Sequence, residues 1–245
     1  MKFAIALVAS VFLFIPPSVH ANDKFVRVST SYRNLLSNPE SSGMLDQIVA
    51  EAFRRIGIKV EIVYTPTKRS LVSVNDGLLD GELNRIEGME QEFPNLIRVP
   101  EPNMQMNFVA FAKRDISISD WESIRGLRIG LVSGWRILEQ KTENFPNVTH
   151  LTEIVTLFDM LEMGRLDVVL YSKLTGYEEL HRLGYSDIRH LTPPLCVMDM
   201  FLYLHKSHSE LIVPVAVALR EMKQDGTYNK IVRETTSHLF SQNEE

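Results

Sequence analysis

Cysteine is almost missing from this 245-residue chain: Cys196 stands alone, so no disulfide closes within one molecule and stability has to come from a buried core. Also missing is any apolar run of the ~20 residues that cross a bilayer as a helix; the longest, Phe3 to Ile15, is roughly a dozen. Basic charge is short, with 26 Lys and Arg against 31 Asp and Glu, and the resulting net charge of −5 argues against nucleic acid and anionic membrane surfaces as partners. No tract is repetitive or low in complexity before the polar tail SQNEE. A nucleophile elbow, G-x-S-x-G, is lacking as well, because Gly130-Leu-Val-Ser-Gly134 has the wrong spacing around its serine. His205 and His208 form an H-x-x-H pair without a third ligand and at the end of a strand pattern, so they read as solvated histidines rather than a zinc site. No catalytic residue, metal or cofactor is expected.

What is present begins with MKFAIALVASVFLFIPPSVHA: one lysine, an apolar run, a Pro16-Pro17 break, and Val19 and Ala21 at the small-residue positions of a signal-peptidase site. Residues 1–21 read as a cleaved secretory leader. Removal of Lys2 takes the net charge from −5 to −6. The remaining chain of about 220 residues permits one domain of α/β-barrel size or two lobes of about 100 each.

FVRVST (residues 25–30) alternates like a strand, and Leu45, Ile48, Val49, Ala52, Phe53 and Ile56 share one helical face. KVEIVYTP (59–66) returns to period two, which completes a βαβ unit and points to a mostly parallel sheet covered by helices. A short helix (68–75), Gly77 and a strand LLDGEL follow. The same grammar recurs: a helix over 152–163, Gly164 and a strand RLDVVL (165–170). Gly77 with Asp80 and Gly164 with Asp167 lie 87 residues apart, while FVRVSTSYR and GLRIGLVSGW echo each other at an offset of 101. Two α/β lobes of similar plan are expected, with Asp80 and Asp167 structural. Strands over 107–113 and 200–207 would cross between the lobes as a hinge, and a helix over 211–222 would return to the first. The boundaries are 22–109 for the first part of lobe 1, 110–203 for lobe 2 and 204–245 for the return.

In such sheets ligands settle at the carboxyl ends of strands and at helix N-termini. Arg85 ends DGLLDGELNR at such a place, where a guanidinium can hold a carboxylate through two parallel bonds; the alternative is an ion pair with Glu82 or Glu87. Ser133, Gly134 and Trp135 precede a helix over 135–142, and free N–H groups there suit an anion, unless Ser133 is only an N-cap. Trp135 is either a lid over a ligand or a packing residue.

In order and spacing, FVRVSTSY, GMLDQIVAEAFRRIG, the P-x-x-R-S-L helix that carries Arg69, DGLLDGELNR, FPNLIRVPEP, SIRGLRIGLVSGW, GRLDVVLYS and EMKQDGTYNKI resemble the bacterial extracellular solute-binding proteins of family 3, the type 2 periplasmic binding proteins. The resemblance spans essentially the whole chain after the leader. The resemblance implies a two-lobe α/β fold in the periplasm, a monomer that closes on a small carboxylated solute such as an amino acid, for an ABC permease or a membrane sensor. By the same resemblance Arg85 binds the α-carboxylate, Tyr32 stacks on the ligand, and Ser133 to Trp135 add N–H contacts. Two positions depart from the family pattern. Ser172 stands where an aspartate commonly holds the ligand's ammonium, so Glu82, Glu101 or Asp199 would have to supply that charge, and the threonine-x-x-arginine stretch is shortened to GELNR. Some relatives on this fold are cyclohexadienyl or arogenate-type dehydratases, in which a cleft carboxylate is the general acid or base. Glu82 is the candidate for that role, its alternative being an ion pair with Arg85 or Arg69.

Overall fold

Alternation in FVRVST becomes strand β1 (Phe25–Thr30), and the apolar face that follows becomes α1 (Met44–Arg55), which buries Leu45, Ile48, Val49, Ala52 and Phe53 as its spacing requires. The computed structural model describes residues 25–240; the leader expected at residues 1–21 lies outside them. Among the described residues no helix is long and apolar enough to cross a membrane.

The remaining elements run in the order β2 (Lys59–Tyr64), α2 (Thr67–Asn75), β3 (Gly81–Arg85), β4 (Leu96–Arg98), β5 (Met104–Ala112), β6 (Ile129–Val132), α3 (Arg136–Thr142), β7 (Val148–Leu151), α4 (Ile154–Glu162), β8 (Val168–Ser172), α5 (Lys173–Leu183), β9 (Arg189–His190), β10 (Cys196–His205), α6 (Ile212–Gln224) and α7 (Thr227–Phe240). The strands follow one path, β2-β1-β3-β10-β5-β8-β6-β7, with β4 on β10 and β9 on β5. At one end β1 pairs in parallel with β2 and β3; at the other β6 pairs in parallel with β7 and β8. Between them lie the two long antiparallel strands. The first half of β10 pairs β5 and its second half pairs β3 and β4, so each long strand belongs to a crossing. Gly81 lets β3 approach β10 closely, since a Cβ there would meet Leu204 Cδ2 and the Tyr203 carbonyl at 2.8 Å.

The two sequence echoes are one structural device built twice. Asp80 accepts the Arg27 N–H through Oδ2 (2.7 Å) while its own N–H donates to the Arg27 carbonyl (2.9 Å). Asp167 does the same with Arg128, at 2.9 and 2.8 Å. Each aspartate thus locks the start of one parallel strand to the chain entering its neighbour. Ahead of each, Gly77 and Gly164 take φ values of 73° and 68° as the preceding helix ends.

Both strands start later than the sequence pattern predicts. The N–H groups of Leu78 and Leu79 turn back to the Ser73 carbonyl, and those of Arg165 and Leu166 to that of Met160. Each LLD or RLD segment therefore finishes a helix before the sheet begins, and Leu78 stays exposed. The His208 reading also changes: its Nε2 lies 3.0 Å from Asp80 Oδ1, tying the segment after β10 to the first lock. Helix α7, which the sequence pattern did not single out, packs against α1, α5 and α6.

The Asp167 lock gives a pH prediction. Hydrogen bonds from Arg128 hold its carboxyl down at about 2, below the ordinary 3.8. Its folded value is depressed, so its contribution is complete above the ordinary carboxylate range and is lost as pH falls through about 2. Asp167→Asn should cost about 1–2 kcal/mol at neutral pH, a range discounted because Arg114 and Arg128 lie in water. In urea melts the gap between the variant and the parent should close as the solution is acidified toward pH 2; a gap independent of pH would refute the lock.

Candidate functional site

Strand β3 is the centre of the candidate site. Glu82 is the register partner of Ser29 on β1 and of Tyr203 on β10, so its side chain emerges between those strands, where α2 covers the sheet. There the Ser70 hydroxyl bridges Glu82 Oε2 and the Ser29 hydroxyl, the two hydroxyls 2.6 Å apart. Glu82 is only 1 % exposed. Arg85, the last residue of the strand, turns back over it and sets Nη2 2.5 Å from Glu82 Oε1 and 3.4 Å from Ser31 Oγ. Of the pairings open in the sequence, the Glu82–Arg85 ion pair is the one that forms; Glu87 pairs with Arg98 instead. Burial raises the Glu82 carboxyl above its ordinary value, against the opposing pull of Arg85 and Ser70.

Two buried polar atoms here lack a partner among the described residues: Arg85 Nε and Asn84 Oδ1. Asn84 projects from β3 two residues after Glu82, and its amide donates to the Tyr32 hydroxyl (3.3 Å). Burial raises the Tyr32 phenol, with Arg85 and Glu82 both close enough to contribute. Tyr32, Asn84, Arg85 and Glu82 thus form one cluster at the carboxyl edge of the first parallel strands. Arg69 is exposed in the first turn of α2, one residue before Ser70, and makes no pair with Glu82.

Across the cleft the second lobe presents an aromatic group. Trp135 lies 4.6 Å from Tyr171 between ring centroids and 5.5 Å from Phe108, the latter edge-on. Burial pushes the Tyr171 phenol up to about 12, and Tyr32 of the facing lobe is among the smaller contributors. The lobes also meet where Glu178 of α5 accepts the Leu35 N–H (2.8 Å).

The helix start at Ser133 to Trp135 departs from expectation. Its N–H groups are not free: Ser133 donates to the Leu151 carbonyl (2.8 Å), Gly134 to Glu139 Oε1 (2.8 Å) and Trp135 to the Val132 carbonyl (3.4 Å). Ser133 does not cap the helix either, because Trp135 occupies the N-cap position. Two backbone carbonyls and one side chain of α3 have taken the donors that an anion was expected to take. Ser172 is 2 % exposed, at the N-cap position of α5, and the strand end offers the half-buried Tyr171 in its stead. Glu101 and Asp199 lie elsewhere: Glu101 holds Lys223 (2.5 Å), Asp199 holds Gln105 (2.9 Å), and both line a separate concavity of about 530 Å³ beside the crossing strands. Asn84, Tyr171 and Phe108 were not singled out from sequence. Only Asn84 had a usable signal, the two-residue step from Glu82 that puts both on one face of a strand.

No family model matches the chain. An uncharacterized protein of Shewanella oneidensis is 26% identical over 194 residues, which cover 75% of this chain and 72% of that protein. The L-cystine solute receptor of Neisseria gonorrhoeae, in its unliganded open conformation, matches with a TM-score of 0.69 at 18% identity, over 88% of this chain and 94% of that one. An ancestral amino acid-binding protein, a precursor of cyclohexadienyl dehydratase, matches with a TM-score of 0.65 at 17% identity, over 86% and 95% of the two chains. What these likenesses share with the chain is the fold: two α/β lobes of the type found in periplasmic binding proteins.

Proposed function

We propose that the protein is a solute-binding protein that closes its two lobes on a small carboxylated solute, an amino acid or a related polar metabolite. The observation that carries this reading is Arg85, a cleft-edge guanidinium with a buried and unpartnered Nε, faced across the cleft by aromatic rings. In the proposed complex Arg85 meets the solute's carboxylate, with Arg69 as a second cation at the mouth, while Tyr32 and Trp135 cover its body. Ser133, Gly134 and Ser172 would contribute only through local rearrangement, given their present bonds and burial. The lobe boundaries 22–109, 110–203 and 204–245 belong to the proposal, as do secretion into the periplasm, a monomeric state, and delivery to an ABC permease or a membrane sensor. The likeness to amino-acid receptors supports the solute class.

A second reading, a dehydratase acting on cyclohexadienyl acids, has the raised Glu82 carboxyl in its favour. Against it, Glu82 is 1 % exposed and lies beneath Arg85, where a bound solute would meet the guanidinium first.

A thermal-shift panel of amino acids, dicarboxylates, polyamines, small peptides and cyclohexadienyl acids tests both. A solute at a hundredfold excess over its Kd should stabilise the protein by about 2.7 kcal/mol, which is roughly 5–10 °C at this chain length. The shift should saturate, leave the solute unconsumed and be accompanied by a change in Trp135 fluorescence that Trp135→Phe abolishes. Consumption of a cyclohexadienyl acid would replace binding with catalysis, and silence across the panel would end the carboxylated-solute reading.

A further inference from the structure

Arg85 reaches the cleft with its charge already matched. Its partner Glu82 is 1 % exposed and 2.5 Å away, so water does little to screen the pair. A solute carboxylate on the same guanidinium would place two anions around one cation, one of them deprived of solvent. Such an arrangement favours a proton on the buried member.

The surroundings of Glu82 are built for either protonation state. An ionised Glu82 accepts from the Ser70 hydroxyl; a protonated Glu82 can donate to Ser70, which then donates onward to Ser29, 2.6 Å away. Neither state leaves a hydroxyl orphaned. Among the described residues Arg85 is the charged group that acts on Glu82: β1 supplies Ser29, α2 supplies Ser70 while its Arg69 is exposed, the loop after β1 supplies Ser31 and Tyr32, and β10 supplies Tyr203. The Tyr203 hydroxyl is engaged elsewhere, with the Ile86 carbonyl (3.0 Å) and Glu90 (3.1 Å).

We infer that Glu82 is a displaceable internal counter-ion: a solute carboxylate takes over the Arg85 guanidinium, and Glu82 takes up one proton from water as it does so. This rests on the reading that Arg85 meets the solute's carboxylate. Burial already holds the Glu82 carboxyl above its ordinary range in the unoccupied site, so the required proton is near at hand. The consequence is a receptor whose grip on carboxylates weakens as pH rises, and whose capture of a solute consumes a proton.

The test uses calorimetry on the protein without its leader, with L-glutamine, L-arginine and L-lactate as probes, since their carboxylates stay ionised between about pH 6 and about pH 8. A probe that binds should do so on the order of tenfold more weakly at the higher pH, the equivalent of one pKa unit of linkage. Its heat should vary with the ionisation heat of the buffer, reporting proton uptake. Glu82→Gln should bind with the low-pH affinity at both values and take up no proton. Binding that is independent of pH and of buffer overturns the inference, as does weaker binding by Glu82→Gln, which would make Glu82 a residue that orients Arg85. The proton count on the unaltered protein decides the matter even if the variant fails to fold. If no probe binds at either pH, the carboxylate reading of the cleft falls first and takes this inference with it.

Discussion

Arg85→Ala should lower the unfolding free energy by about 3–5 kcal/mol at mildly alkaline pH, because it leaves a buried carboxylate without its cation. The sign with pH follows from Glu82. Burial raises its folded value above the ordinary 4.5 even with Arg85 in place, and removal of Arg85 takes away the positive charge that opposes the rise. An acid whose folded value is raised binds more protons folded than unfolded between the two values, so stability falls as pH climbs through that window. The variant's deficit should therefore be small near the ordinary carboxylate range and grow as pH rises. Urea melts across that range measure it, with Glu82→Gln/Arg85→Ala as the reference that removes both charges. That double variant should recover most of the loss, since it leaves no unpaired ion behind. A deficit below about 1 kcal/mol at alkaline pH would mean that the pair is screened as surface pairs are.

Phe111→Ala should be about as costly, again about 3–5 kcal/mol, by loss of apolar contact and creation of a cavity. Phe111 is 0 % exposed on β5, with Phe158 and Tyr177 both edge-on at 5.5 Å. Its ring fills the space that a side chain at Gly176 of α5 would need, so α5 is seated on the ring itself. The loss corresponds to roughly 6–20 °C in Tm for a chain of this size, readable in a thermal melt. Because β5 is flanked by β10 and β8, the variant should also loosen the second lobe, visible as faster amide exchange in α5 and β8. A change of only a few degrees, with α5 still protected, would show that the surrounding side chains close the cavity.

How much of this was legible in the sequence differs by kind of interaction. The helix face of α1 and the period of β1 and β2 were plain, because burial by one side of a regular element writes its own spacing. The echoes at 87 and 101 residues were plain too, and the structure gives their reason: Asp80 and Asp167 each accept an arginine N–H through the carboxylate and donate their own N–H to the same arginine's carbonyl, which fixes both the residue type and its place after the glycine. Less legible were the strand starts, since Leu78 and Leu79 look like strand residues until their N–H groups are seen to return to Ser73. Within the candidate site, Arg85, Glu82 and Tyr32 were identified and do come together. The saturation of the Gly134 N–H by Glu139 was not visible, because a glutamate five residues along the chain carries no sign of which way it folds. Tyr171 and Phe108 were hidden for another reason: their meeting with Trp135 joins three separate elements, and no local spacing records it.

The second half of β10 sits between β3 and the rest of the sheet path, which bears on the order in which the chain can mature. As a growing chain leaves its site of synthesis, N-terminal units ordinarily fold first. Here β1, α1, β2, α2 and β3 emerge early, yet β3 finds its other neighbour only once residues 201–204 have been made, and α1 is covered by α6 and α7 later still. The segment from β5 to β9 holds its own parallel strands and can condense sooner. The first-made lobe is thus the last to be completed, and β3 keeps an open strand edge until β10 has been made.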